Sequence, residues 1–304
     1  MPHIDANGIS LYVESHGDAT ATPLILVRGL GSQIIHWPRA FIDGFVDNGF
    51  FVITHDNRDA GLSQSFDGWG VIDEQDVQRR LDAGEPIDIP YRVRDMADDA
   101  IAVLDHFGID RAHLAGISMG GMIAQLAAVH HADRLISMTS IMSSSGNTDI
   151  PLGTPEAREL LLRQPDDPND RESVIAFTLK ADRVWGSPGY PFDDAERADL
   201  IGRAFDRCWT PEGVKRQWAA VRGDGSRVER LKTITVPTLV IHGLDDSLVQ
   251  AEHGRDVAAH VPGATLIEVP GMGHDLEGDL SPIIVDHVSR HARASEAADA
   301  AEAT

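Results

Sequence analysis

The most constraining feature of the chain is a strand-like run, Ala112-His113-Leu114-Ala115, that passes directly into Gly116-Ile117-Ser118-Met119-Gly120 and then into a helical stretch from Met119 to His131. A Gly-x-Ser-x-Gly pentapeptide recurs by chance, but between a strand and a helix it has a mechanical meaning. Side chains at 116 and 120 would collide with neighbouring chain in so sharp a turn, so both positions must be small. The Ser118 hydroxyl is thereby thrust out above the strand end. The helix that starts there points free N–H groups and a partial positive charge at the same place, which suits a developing oxyanion.

Other segments repeat the alternation. Residues 9–14 alternate as a half-buried strand, and Pro23 to Val27, Phe50 to Thr54, Leu135 to Ile141, Thr238 to Ile241 and Thr265 to Val269 are short apolar runs set off by turns or helical stretches. This pattern predicts an α/β fold: a mostly parallel central sheet with helices on both faces. In the helix before residue 112, Met96, Ile101, Leu104 and Phe107 share one face, Asp98, Asp99 and Asp105 are expected on a solvated face, and Gly108 supplies the stop.

Between 146 and 232 the character changes. Pro151, Pro155, Pro165, Pro168, Pro188, Pro191 and Pro211 break up helical patches and no run resembles a central strand. The expected organisation is a core domain over 1–145 and 233–293, a helical cap inserted over 146–232, and a disordered tail over 294–304, where no large apolar residue offers an anchor. Trp185, Tyr190, Phe192, Trp209 and Trp218 give the cap aromatic area, either to line an apolar pocket or to bury the cap on the core.

A formal charge of −22 argues against binding nucleic acid or anionic lipid surfaces. No segment approaches the roughly 18 apolar residues of a spanning helix, and the first residues lack a basic stretch followed by an apolar one. The prediction is a cytoplasmic chain without integral membrane association. The lone cysteine, Cys208, excludes an internal disulfide and is expected to pack. His-Glu-x-x-His is absent, and His287 with His291 has helical spacing but no third ligand, so no metal and no cofactor is expected. The sequence carries no signature of an oligomeric state.

A serine hydroxyl is a weak nucleophile near neutral pH. It needs a base to take its proton and a carboxylate to hold that base in the right tautomer. Thr238 to Ile241 runs into His242-Gly243-Leu244-Asp245-Asp246, and Thr265 to Val269 into Pro270-Gly271-Met272-Gly273-His274. Both turns follow strand C-termini, where open α/β sheets place their sites. Either aspartate can serve as the acid.

With these pieces the chain resembles the α/β-hydrolase superfamily, and within it the aclacinomycin methylesterase branch. The likeness covers nearly the whole core and is echoed by Pro191-Phe192-Asp193-Asp194 in the cap. The resemblance implies an α/β-hydrolase fold with Ser118 as nucleophile, Asp246, fifth in His-Gly-x-x-Asp, as the acid, and His274, in Gly-x-Gly-His, as the base. It further implies an oxyanion hole from the backbone N–H groups of Leu30 and Met119.

Arg28 departs from the His-Gly usual before that loop. It is read either as half of a structural ion pair or as a group that recognises a substrate carboxylate or carbonyl. His36 and Trp37 either pack or edge the pocket, as do Trp185, Tyr190 and Phe192, while Asp56 to Ser63 resembles a turn that braces loops. The implied activity is hydrolysis of a small-molecule carboxylic ester, of short- to medium-chain acyl or methyl type, through an acyl-enzyme. The alternatives are a cofactor-free haloperoxidase or perhydrolase, a C–C or lactone hydrolase on the same triad, and a non-catalytic ligand receptor on this scaffold.

Overall fold

The apolar runs assemble into one sheet. The computed structural model describes residues 2–302. Its strands are β1 (His3–Ala6), β2 (Ile9–His16), β3 (Thr22–Val27), β4 (Phe50–His55), β5 (Ala112–Ile117), β6 (Leu135–Ile141), β7 (Thr238–Gly243) and β8 (Thr265–Val269), in spatial order β1-β2-β4-β3-β5-β6-β7-β8. β1 and β2 form an antiparallel hairpin, β2 is antiparallel to β4, and all later pairs are parallel. The hairpin turns on Asn7-Gly8, both at positive φ, the strongest short hairpin signal a sequence offers.

Burial follows position in the sheet. β2 alternates, whereas β4, β5 and β7 are buried at every residue, as befits strands covered on both faces. One face packs under α3 (Val93–His106), α4 (Met119–His130) and α10 (Ala251–His260). The other packs under α1 (Arg39–Asp47) and α11 (Leu280–Glu302). A short helix, α2 (Glu74–Asp82), precedes α3. Between β6 and β7 the chain makes α5 (Pro155–Leu162), α6 (Arg171–Trp185), α7 (Asp194–Arg207), α8 (Pro211–Asp224) and α9 (Val228–Leu231). Among the described residues no helix is long and apolar enough to cross a membrane.

Two expectations are corrected. Asp99 is not solvated: it is 1% exposed and takes both Nε (2.7 Å) and Nη2 (2.5 Å) of Arg58. Three residues after Met96 and four before Val103, it lies on the apolar face of α3, where only a paired carboxylate is tolerated. Nor is the tail disordered, since α11 continues to Glu302; residues 303 and 304 lie outside the described residues. Alanine and glutamate are good helix formers, and polar contacts replace the missing apolar anchor. Ser295 is buried, Glu296 accepts from Thr22 Oγ1 at 2.8 Å, and Asp299 pairs with Arg111 at 2.5 Å.

Candidate active site

Ser118 caps α4 with φ 53° and ψ −120°, a conformation that β-carbon-bearing residues rarely adopt. The turn leaves no room for side chains beside it. A Cβ on Gly116 would lie 2.0 Å from the Gly120 carbonyl oxygen, and one on Gly120 2.1 Å from that of Val27. Ser118 N–H donates to Ile141 across the sheet at 2.9 Å.

His274 Nε2 stands 3.0 Å from Ser118 Oγ, and His274 Nδ1 stands 2.7 Å from Asp246 Oδ2. With the carboxylate as acceptor, the ring proton resides on Nδ1, leaving Nε2 to accept from the serine hydroxyl. The other oxygen of Asp246 accepts from the N–H groups of Leu248 (2.9 Å) and Val249 (2.8 Å). Asp245 is engaged elsewhere, accepting from Gly271 N–H at 2.8 Å.

The sequence reading missed His242. Its Nε2 donates to the Val249 carbonyl at 2.6 Å and lies 3.6 Å from Asp246 Oδ2, and burial pushes the imidazole below its ordinary pKa, so the ring is held neutral. It supports the loop that carries Asp246 without adding charge next to it.

The turn bearing His274 is clasped by the helical insertion. His274 N–H donates to Trp185 O at 2.6 Å and Gly189 N–H to Gly271 O at 2.9 Å. Ser187 Oγ accepts from Gly273 N–H at 2.8 Å and donates to Asp275 at 2.5 Å.

On the opposite side, a Cβ on Gly29 would sit 3.1 Å from that of Ser118, so the loop after β3 passes directly over the serine. Buried Gln217 of α8 fixes this loop, accepting from Gly31 N–H (2.8 Å) while donating to Arg58 O (2.7 Å). Leu30 and Met119 flank Ser118, and among the described residues their backbone N–H groups have no hydrogen-bond partner. The Asp56 turn braces these loops: its carboxylate accepts from Ile34 N–H (2.7 Å) and Leu62 N–H (2.9 Å) and pairs with Arg207 (2.7 Å).

Ser118 and His274 open on a cavity of about 860 Å³. Arg28, His36 and Trp185 line it, together with Trp209, Trp218 and Cys208; the packing role expected of the cysteine is thus incomplete. Met122, Met142, Leu152 and Val214 supply further apolar wall, and helical spacing gave no sign of them.

Trp37, Tyr190 and Phe192 stay out of the cavity. Trp37 is buried and stacks on Phe41 (5.2 Å between centroids), Tyr190 packs against the Gly271 turn, and Phe192 lines a separate groove beside Arg197. The ion pair read for Arg28 does not form: among the described residues no hydrogen bond or ion pair reaches its guanidinium. No group of three His, Cys, Asp or Glu side chains suited to a metal ion occurs among the described residues.

A sharp strand-to-helix turn presenting a serine, with an acid and a histidine on turns after later strands, defines a class. The chain belongs to the family described as the alpha/beta hydrolase fold, whose model matches residues 22–276. It is 27% identical to rhodomycin D methylesterase DauP of Streptomyces sp. (strain C5), over 96% of this chain and 98% of that protein. It is also 25% identical to 3-oxoadipate enol-lactonase 2 of Acinetobacter baylyi, with 86% of each chain covered. Among solved structures, the enol-lactonase from Burkholderia xenovorans LB400 superposes with a TM-score of 0.71 at 22% identity, covering 95% of this chain and 99% of that one.

Proposed function

We propose that the chain is a carboxylic ester hydrolase acting through Ser118, His274 and Asp246. The observation that carries this reading is the unbroken relay from Ser118 Oγ to His274 (3.0 Å) to Asp246 (2.7 Å) at the wall of a partly open cavity. His274 Nε2 takes the serine proton as Oγ attacks the ester carbonyl. Asp246 holds the resulting imidazolium, and the N–H groups of Leu30 and Met119 receive the oxyanion. His274 then protonates the departing alcohol, and water, activated by the same imidazole, releases the acid from the acyl-enzyme.

Residues 146–232 act as a cap that closes the cavity over a core of 1–145 and 233–293. The mostly apolar wall and the methylesterase relative favour a small-molecule ester of short- to medium-chain acyl or methyl type. The enol-lactonase relative favours a second substrate form, a lactone opened by the same attack.

The test is a chain-length series of 4-nitrophenyl esters run beside bulky methyl esters and a lactone, with fluorophosphonate labelling of Ser118. Ser118→Ala should lower kcat by roughly 10⁴ to 10⁶. Unchanged turnover in that variant, or a wild-type protein that neither turns over nor labels, sinks the reading.

A further inference from the structure

A guanidinium removed from water must find an anion or hydrogen-bond acceptors in exchange. Arg28, between β3 and the Gly29-Leu30 loop, is half-buried with its Nε out of water, and among the described residues it has neither. Among the described residues its buried Nε has no partner, and its Cζ lies over the Trp37 ring, 4.7 Å from the centroid, a contact that uses none of its N–H groups. The nearby acids are already taken: Arg197 holds Asp182 at 2.6 Å and Glu277 at 2.9 Å. Burial, with Arg197 adding to it, lowers Arg28 to about 9, so it stays charged at neutral pH.

His36 adds a second unused donor. Its Nδ1 lies 2.9 Å from Gln33 N and 3.2 Å from Gln33 O; in the tautomer that accepts from the Gln33 N–H the ring proton is on Nε2, which no hydrogen bond reaches among the described residues. Burial, then the charge of Arg28, push this imidazole down to about 3, so it remains neutral. A planar cationic fork and an uncharged N–H therefore line one cavity with the serine. The loop that carries Arg28 passes over the serine, since a Cβ on Gly29, the next residue, would lie 3.6 Å from Ser118 Oγ.

We propose that Arg28, assisted by His36 Nε2–H, binds a free carboxylate on the substrate, making esters that retain a carboxylate a few bonds from the scissile carbonyl the preferred class. This rests on the reading of Ser118 as nucleophile. Recognition is short-ranged, because the formal charge of −22 opposes anions until they are inside, and a bidentate fork suits a carboxylate better than a point charge does.

The experiment compares three esters: mono(4-nitrophenyl) glutarate, with the carboxylate on the acyl half; 4-carboxyphenyl butyrate, with it on the leaving half; and uncharged 4-nitrophenyl butyrate. In Arg28→Met, kcat/KM for one of the anionic esters should fall at least tenfold further than for the neutral one, and the arm that responds identifies the half that is bound. Arg28→Lys, which keeps the charge and guards against a misfolded Met variant, should recover part of the difference. Arg39→Met, at an exposed position, should leave the ratios alone.

Equal losses on all three esters overturn the carboxylate site and leave the esterase reading standing. Calorimetry removes the dependence on turnover. Glutarate should bind the Ser118→Ala protein and bind at least tenfold more weakly when Arg28→Met is added, and equal affinity overturns the proposal even if Ser118 proves inert.

Discussion

The backbone N–H of His274 donates to the carbonyl of Trp185 at 2.6 Å. The turn that presents the imidazole is therefore held by the last residue of α6 as well as by the sheet, and Ser187 completes the clasp through Gly273 and Asp275.

Ser187→Ala leaves the Gly273 N–H buried without an acceptor and frees the turn. Stability should drop by about 1–3 kcal/mol in urea unfolding. As a positioning residue that meets no substrate, Ser187 should affect kcat, by about tenfold, with KM little moved. A matching rise in KM with unchanged kcat would place the residue in substrate binding instead.

The two aspartates of the β7 turn are to be separated by amide substitution. Asp246→Asn cannot hold the Nδ1–H tautomer of His274, and kcat should fall by roughly 10³ to 10⁴. Asp245→Asn weakens a brace to Gly271, replacing a charged acceptor by a neutral one, and should cost stability rather than turnover. Steady-state kinetics and thermal melts on the pair decide the assignment, and the reverse pattern would move the acid to Asp245.

Buried neutral histidines set an acid limit on stability. Burial lowers His55 to about 4, and His113, also chiefly through burial, to about 4. The unfolded chain binds these protons from about pH 6.5 downward, so between about 6.5 and 4 it binds more protons than the folded protein. Their contribution is thus complete above about pH 6.5 and is lost as pH falls through this window. His55→Gln should flatten the dependence of unfolding free energy on pH by about 1 kcal/mol per unit between 6.5 and 4. Parallel slopes for wild type and variant in urea titrations would contradict this.

Net charge gives the substrate proposal a kinetic signature. Repulsion by a protein of formal charge −22 is screened beyond about 8 Å at physiological ionic strength. Added salt should therefore raise kcat/KM for the glutarate monoester severalfold from low ionic strength and leave the neutral butyrate ester nearly flat. A falling trend for the anion would mean that a long-range positive field dominates the approach.

The succession of strands along the chain, the serine turn, and the aspartates and histidine on the later turns were legible because each is local: periodicity, small residues at fixed offsets and strand ends. What escaped depends on distant segments meeting. Asp99 looked solvated because its partner, Arg58, is 41 positions away. Trp37, Tyr190 and Phe192 carry the right chemistry for a pocket wall but face Phe41, the Gly271 turn and a neighbouring groove. Of the two readings of Arg28, the structural ion pair is pre-empted by Arg197, which holds both nearby acids. The tail was read from its lack of apolar residues, whereas Thr22 and Arg111 anchor it through polar contacts.

Ser118 sits at φ 53° in a turn that glycine would adopt freely. The consequence is an antagonism between durability and work at a single position. Ser118→Gly should melt at a higher temperature than the wild-type protein while losing the proposed chemistry, so selection for thermal robustness alone would steer this chain towards an inert scaffold.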